Sequence, residues 1–215
     1  MPDSTGTLPP AAFGRHDETP DADFYRAPRL VTHIDEAAVA AVTELYREFF
    51  PTDGTGRILD LMSSWVSHLP PEVTYARVAG LGMNAAELAA NPRLTEWRVQ
   101  DLNAYPVLPY GDAGFDGCGI CVSVQYLTRP VDVMREVGRV LVPGAPLVVT
   151  FSNRCFPTKA VAAWRMTDDA DHLRLVGHYL DASGAFSDIS LMDRSPAPGR
   201  SDPLLAVVGR RRKPG

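Results

Sequence analysis

The stretch RILDLMSSWVSHLPP, Arg57 to Pro71, sets Asp60, Ser63, Ser64 and His68 close together at the end of an apolar run. A carboxylate accepts hydrogen bonds, a hydroxyl accepts or donates, and an imidazole moves a proton near neutral pH. Such residues either hold a polar ligand or cap a short helix beginning near Trp65. A second group lies in SNRCFPTKA, Ser152 to Ala160, where Arg154 and Lys159 suit an acidic or phosphate-bearing ligand. Cys155 has no nearby His/Asp set to activate it and reads as a small packed residue. Candidate general bases are His33, His68, His172 and His178, the last two on a late helical segment expected to face solvent. Tyr25, Arg29, Gln125 and Tyr126 complete a candidate substrate pocket, and Trp65 either walls it or packs beneath the turn.

Cys118 and Cys121 have C-x-x-C spacing but sit inside the apolar run FDGCGICVSVQYL. In a strand, positions three apart face opposite sides of the sheet, so this pair is expected to pack rather than share a metal or a redox site. No second Cys/His pair completes four zinc ligands, and no metal is expected.

The elements that must position these residues follow from periodicity. The first two dozen residues are rich in Pro, Asp, Thr and Gly, and residues 1–33 are expected to form a mobile lead-in, a possible lid over substrate. A single domain is expected over 34–215. It opens with a helix on which Val39, Val42, Leu45, Tyr46 and Phe49 share a face, ended by Pro51 and Gly54. Apolar strands are expected over 57–62, 75–81, 97–100, 116–124 and 146–151, with helices over 85–90, 131–140, 159–164 and 171–182. Two last segments, 186–192 and 204–208, suit a terminal hairpin. This alternation implies an α/β fold: a Rossmann-like, mostly parallel seven-stranded sheet with helices on both faces and an antiparallel C-terminal strand.

The chain has 215 residues, 45% hydrophobic and 22% charged, with a formal net charge of -5. That balance argues against a nucleic-acid partner, which favours a basic surface. The basic end, Arg210 to Lys213, is expected as a solvated tail. Neither a membrane-length apolar run nor a signal-peptide pattern is present in the sequence, so a cytoplasmic protein without a membrane partner is expected.

The order of these segments resembles the class I S-adenosylmethionine-dependent methyltransferases, especially the small type 11-like group, over roughly Arg57 to Val208. Four pieces carry the resemblance: ILD, then VQDLNAYPVLPYGDAGFDGCGICVSVQYL, then VDVMREVGRVLVPGAPLVVTFSNR, then HLRLVGHYLDASGAF. MSSWVSHLP and SNRCFPTKA resemble segments of a glycine-poor subgroup with altered first and second cofactor motifs. The resemblance implies S-adenosylmethionine as cofactor. It also implies that Asp60, Met62, Ser63 and Ser64 approach its amino-acid end, and that Gly82, Met83 and Asn84 approach its ribose. Asp101, with Leu102, would face the adenine amine, and Ser123 would complete the set.

Two departures stand out. Met62, Ser63 and Ser64 replace the family's glycines, and Gly82 stands where an acid takes the ribose hydroxyls. Losing that carboxylate costs about 1–3 kcal/mol of affinity unless another group compensates. Gly82→Asp is therefore expected to tighten cofactor binding, and Asn84 is expected mainly to cap the following helix. The activity implied is methyl transfer to a small-molecule acceptor, with His68 or His33 as base. A cyclase or lyase acting on the same cofactor, and a non-catalytic binding member of the fold, remain open alternatives.

Overall fold

The computed structural model describes residues 8–213. Seven strands form one sheet: β1 (Arg57–Leu61), β2 (Arg77–Gly82), β3 (Glu96–Val99), β4 (Gly117–Cys121), β5 (Pro146–Phe151), β6 (Phe186–Asp193) and β7 (Leu205–Arg211). Their order is β3-β2-β1-β4-β5-β7-β6. The first five run parallel, while β7 is antiparallel to both β5 and β6. This is the expected sheet. From β1 the chain steps outward to β2 and β3, then returns to place β4 on the other side of β1. The carboxyl ends of β1 and β4 therefore flank the point where the winding reverses, which opens a crevice in sheets of this kind.

Helix α1 (Asp21–Phe24) belongs to the lead-in, and α2 (Glu36–Phe49) covers one face of the sheet. The Asp35 side chain accepts from the Ala38 amide at 2.9 Å, capping α2, and Ala38, Val42, Leu45 and Tyr46 form its buried stripe. Glycine in β4 allows that helix to lie close. A Cβ on Gly119 would fall 2.7 Å from the Tyr46 hydroxyl oxygen. Helix α3 (Ala85–Ala90) connects β2 to β3, and α4 (Pro130–Val140) connects β4 to β5. Helix α5 (Ala162–Arg165) and α6 (Asp169–Ala182) precede the terminal hairpin. The core on the α4 side includes Cys118, whereas Cys121 packs against the core beneath α2. The two thiols face opposite ways, as strand geometry requires.

Several expectations are corrected. No helix forms near Trp65; the crossover from β1 to β2 is an irregular segment that buries Leu69, Val73 and Tyr75 against α2. Between β3 and β4, where no helix was expected, the chain runs as a loop, and Leu102, Leu108 and Phe115 cover the opposite face. The lead-in, expected without regular structure, carries a 3₁₀ turn at Pro10–Phe13 and then α1. Phe13 is buried in the core, and Asp21 is buried in an ion-pair network. Residues 1–7 of that expectation lie outside the described residues. The basic end is not a plain tail, because Arg210 and Arg211 belong to β7. His172, expected at the surface, is buried, stacked on Trp164 with ring centroids 3.8 Å apart.

Candidate functional site

The sheet's carboxyl edge opens into a cavity of about 330 Å³. The loops after β1, β2, β3, β4 and β5 all reach it, and the lead-in crosses its mouth.

The β1 turn is built around a buried acid. Ser63 Oγ and Ser67 Oγ each donate to Asp60 Oδ2 at 2.6 Å. Ser64 Oγ donates instead to Glu87 Oε2 at 2.5 Å. Asn91 Nδ2 then donates to Ser67 Oγ and to the Ser64 carbonyl, so side chains do the ordering that a crossover helix would otherwise do. Burial pushes the Asp60 carboxyl up to about 6, against the opposing pull of the two serine hydroxyls. Met62 adopts φ 58°, the left-handed conformation that glycine adopts at no steric cost. The backbone shape of a glycine turn thus persists without its glycine. His68 (φ 51°) and Val122 (φ 43°) are in the same region, and all three line the cavity. Strain of this kind, a genuine outlier for a β-branched residue, concentrates at functional sites.

At the end of β2, a Cβ on Gly82 would lie 2.1 Å from the Ser63 carbonyl oxygen. The β1 turn occupies the space a side chain would need, which overturns the expectation that Gly82→Asp tightens binding. Asn84 is fully engaged: Oδ1 accepts from the Ala86 and Glu87 amides, and Nδ2 donates to the Tyr25 and Arg26 carbonyls. It caps α3 and anchors the lead-in. Met83 lines the cavity beside it.

Asp101, after β3, accepts from the Asn103 and Ala104 amides through Oδ1, leaving Oδ2 able to accept from an amine. Leu102 lines the same wall, and Ser123 lines the wall after β4. Gln125 does not reach the cavity. It is buried and donates to the Val122 carbonyl at 3.0 Å, supporting the strained turn after β4. After β5, Arg154 reaches the rim but pairs with Asp202 at 2.8 Å. Lys159 is also displaced from the substrate role expected of it. It is fully buried, donates to the Thr19 carbonyl at 2.6 Å and lies 3.2 Å from Asp21. Its charge fixes the lead-in rather than meeting a ligand.

The lead-in is held by further bonds. Arg15 Nη1 donates to both oxygens of Asp21, at 2.7 and 2.8 Å. Trp65 Nε1 donates to the Val31 carbonyl at 3.0 Å, and the Arg29 amide donates to Glu87 Oε1 at 2.8 Å. Tyr25, Arg29 and His33 are thereby brought over the cavity. The Phe156 ring meets His33 at 5.4 Å and Tyr126 at 5.9 Å, and the Arg29 guanidinium lies 5.2 Å from its centroid. Burial pushes both cavity histidines down, His68 to about 4, so each is neutral at pH 7.

Glu87, Asn103 and Phe156 line the cavity without having been singled out in the sequence. Glu87 had a usable signal: it is the third helical residue after the Asn84 cap, as in a capping box. Its carboxylate turns to the lead-in and the β1 turn instead.

No protein-family model matches the chain. Among curated proteins, the biotin biosynthesis bifunctional protein BioHC of Teredinibacter turnerae is 30% identical over 77 residues. That alignment covers 36% of this chain and only 13% of BioHC. Among solved structures, an S-adenosylmethionine-dependent methyltransferase from Mesorhizobium loti superposes with a TM-score of 0.57 at 18% identity, covering 80% of this chain and 98% of that one. The chain has the class I S-adenosylmethionine-dependent methyltransferase fold. Two further structures share this methyltransferase fold. The [4+2]-cyclase SpnF has a TM-score of 0.59 at 17% identity, covering 80% and 81% of the two chains. A Haloferax volcanii complex of the Trm112 activator with a methyltransferase gives 0.60 at 13%, covering 84% and 92%.

The methyltransferase fold's cofactor is compatible with the residues present. The cavity volume falls within the ~300–1,000 Å³ typical of small-molecule sites. The residues matched to the fold's cofactor motifs all line it, and the buried Ser123 hydroxyl there has no protein partner among the described residues.

Proposed function

We propose that this chain binds S-adenosylmethionine in the cavity and transfers its methyl group to a small-molecule acceptor. The observation that carries the proposal is the position of the strained, carboxylate-centred β1 turn at the winding reversal of a methyltransferase fold, beneath an aromatic cover. When bound, the cofactor supplies an electrophilic methyl on a sulfonium. Displacement there needs alignment and exclusion of water more than a protein nucleophile. Tyr25, Tyr126 and Phe156 supply an apolar wall against which an acceptor is oriented, and the lead-in covers the mouth. His33 and His68, uncharged at neutral pH, each present a ring nitrogen that can accept a hydrogen bond from a hydroxyl or ammonium acceptor, and burial makes both weaker bases than a free imidazole.

The test is calorimetric titration with S-adenosylmethionine and S-adenosylhomocysteine, followed by a metabolite screen with methyl-labelled donor. Saturable binding and label in an acceptor are expected; no binding of either ligand would end the proposal. The likeness to a [4+2]-cyclase favours a second reading, in which the bound cofactor supports a different reaction. Mass spectrometry separates the two, since methyl transfer yields S-adenosylhomocysteine and an acceptor heavier by one methylene.

A further inference from the structure

We propose that Glu87 takes the ribose diol of the bound cofactor, replacing the acid that Gly82 cannot carry. The assignment rests on the cofactor proposed above. Any adenosine ligand brings two adjacent hydroxyls, and a carboxylate is the side chain suited to accept from both. The end of β2 is closed to such a group, because even a Cβ on Gly82 would meet the Ser63 carbonyl oxygen at 2.1 Å.

Glu87 projects from the first turn of α3 into the space between the β1 turn and the β2 end. It receives Ser64 Oγ at 2.5 Å on one oxygen and the Arg29 amide at 2.8 Å on the other. A carboxylate has roughly four acceptor sites. Two of these remain on Glu87, one for each hydroxyl of a diol.

The other acids of the cavity are less suited. Asp21 is ion-paired with Arg15 and Lys159, whereas among the described residues no arginine or lysine forms an ion pair with Glu87. Asp60 is buried and takes two serine hydroxyls on one oxygen. Asp101 lies beyond the end of β3, two strands from β1. Asn84, adjacent to the β2 end, has its amide fully committed to the α3 cap and the lead-in.

Glu87→Gln is a suitable variant, since its amide oxygen still accepts from Arg29 and its nitrogen still donates to Ser64 Oγ. Calorimetry would compare S-adenosylhomocysteine with its 2′-deoxy and 3′-deoxy counterparts on parent and variant. The parent is expected to bind the deoxy compounds about tenfold more weakly, and Glu87→Gln to lose about tenfold for S-adenosylhomocysteine. For the deoxy compounds the variant's further loss should be much smaller.

Equal losses for all three ligands would make Glu87 a latch between the lead-in and the β1 turn, overturning the proposal. Unchanged affinity of the variant would overturn it as well. Should Glu87→Gln fail to fold, the parent alone decides: indifference to both hydroxyls removes any diol acceptor, Glu87 included, while discrimination supports one. A parent that binds S-adenosylhomocysteine with no such discrimination rejects Glu87 and leaves the cofactor proposal standing. A parent that does not bind it at all rejects both.

Discussion

A Cβ at Gly82 has nowhere to go, because its nearest neighbour is backbone, the Ser63 carbonyl, rather than a flexible side chain. Gly82→Asp should therefore displace the β1 turn and destabilise the fold by about 1–3 kcal/mol, the range for overpacking. Chemical denaturation would measure that loss, and a variant as stable as the parent would contradict the geometry. Asp60 and His68 make opposite contributions to pH dependence. Asp60 titrates near 6 in the fold against 3.8 ordinarily, so the folded state holds a proton that the unfolded state releases, and stability falls as pH rises from 4 to 6. His68 titrates near 4 against 6.5, so its stabilisation is complete above 6.5 and is lost as pH falls toward 4. Each shift corresponds to about 3 kcal/mol, and the two nearly cancel in the parent. Asp60→Asn should unmask a loss of stability on acidification from 6.5 to 4, and His68→Gln a gain from 6 to 4. Denaturation midpoints across that window would check both slopes; identical pH profiles for the two variants would count against these environments.

At the scale of elements, the lead-in and the β1–β2 crossover do by side-chain bonds what regular secondary structure does elsewhere. Neither is a long helix, so their order depends on a few buried polar contacts. Lys159 is central, since its buried ammonium meets the Thr19 carbonyl and the Asp21 carboxylate. Lys159→Met keeps most of the apolar stem but leaves Asp21 with Arg15 as its one cationic partner, beside the amide of Asn103. A loss of about 3 kcal/mol is expected, the low end for breaking a buried pair. The lead-in should also become more susceptible to limited proteolysis between Arg15 and His33. An unchanged cleavage pattern would show that Asn84, Trp65 and Glu87 suffice to hold it.

For the whole molecule, a ligand seated across the carboxyl ends of four parallel strands should stabilise the fold as a unit. S-adenosylhomocysteine at about 100 times its Kd adds about 2.7 kcal/mol. At about 2–4 °C per kcal/mol for a domain of this size, Tm should rise by about 5–10 °C. Differential scanning calorimetry would read the shift, and Gly82→Asp, with its β1 turn displaced, should show little or none. The described residues include no helix long and apolar enough to cross a membrane.

The strands and the long helices could be read from sequence because burial leaves a local record. Runs such as PLVVTF in β5 and the stripe Ala38, Val42, Leu45 and Tyr46 in α2 repeat with the period of the element they form. The order of motifs also brought Asp60, Ser63, Gly82 and Asp101 to the cavity, since each ends or follows a strand and strand ends are set by that same periodicity. Contacts between residues far apart in the chain leave no periodic trace. Lys159 looked like a ligand for an anion because its segment follows β5 and opens at the ligand end of the sheet; its actual partners lie about 140 residues away, at Thr19 and Asp21. Gly82 looked like a lost acid until the Ser63 carbonyl was seen to fill the place of its side chain. Glu87 was not singled out in the sequence at all, and folding set it between Ser64 and Arg29. Local pattern determined the elements and their order, and only tertiary packing decided which polar side chains face the cavity and which are consumed in holding it together.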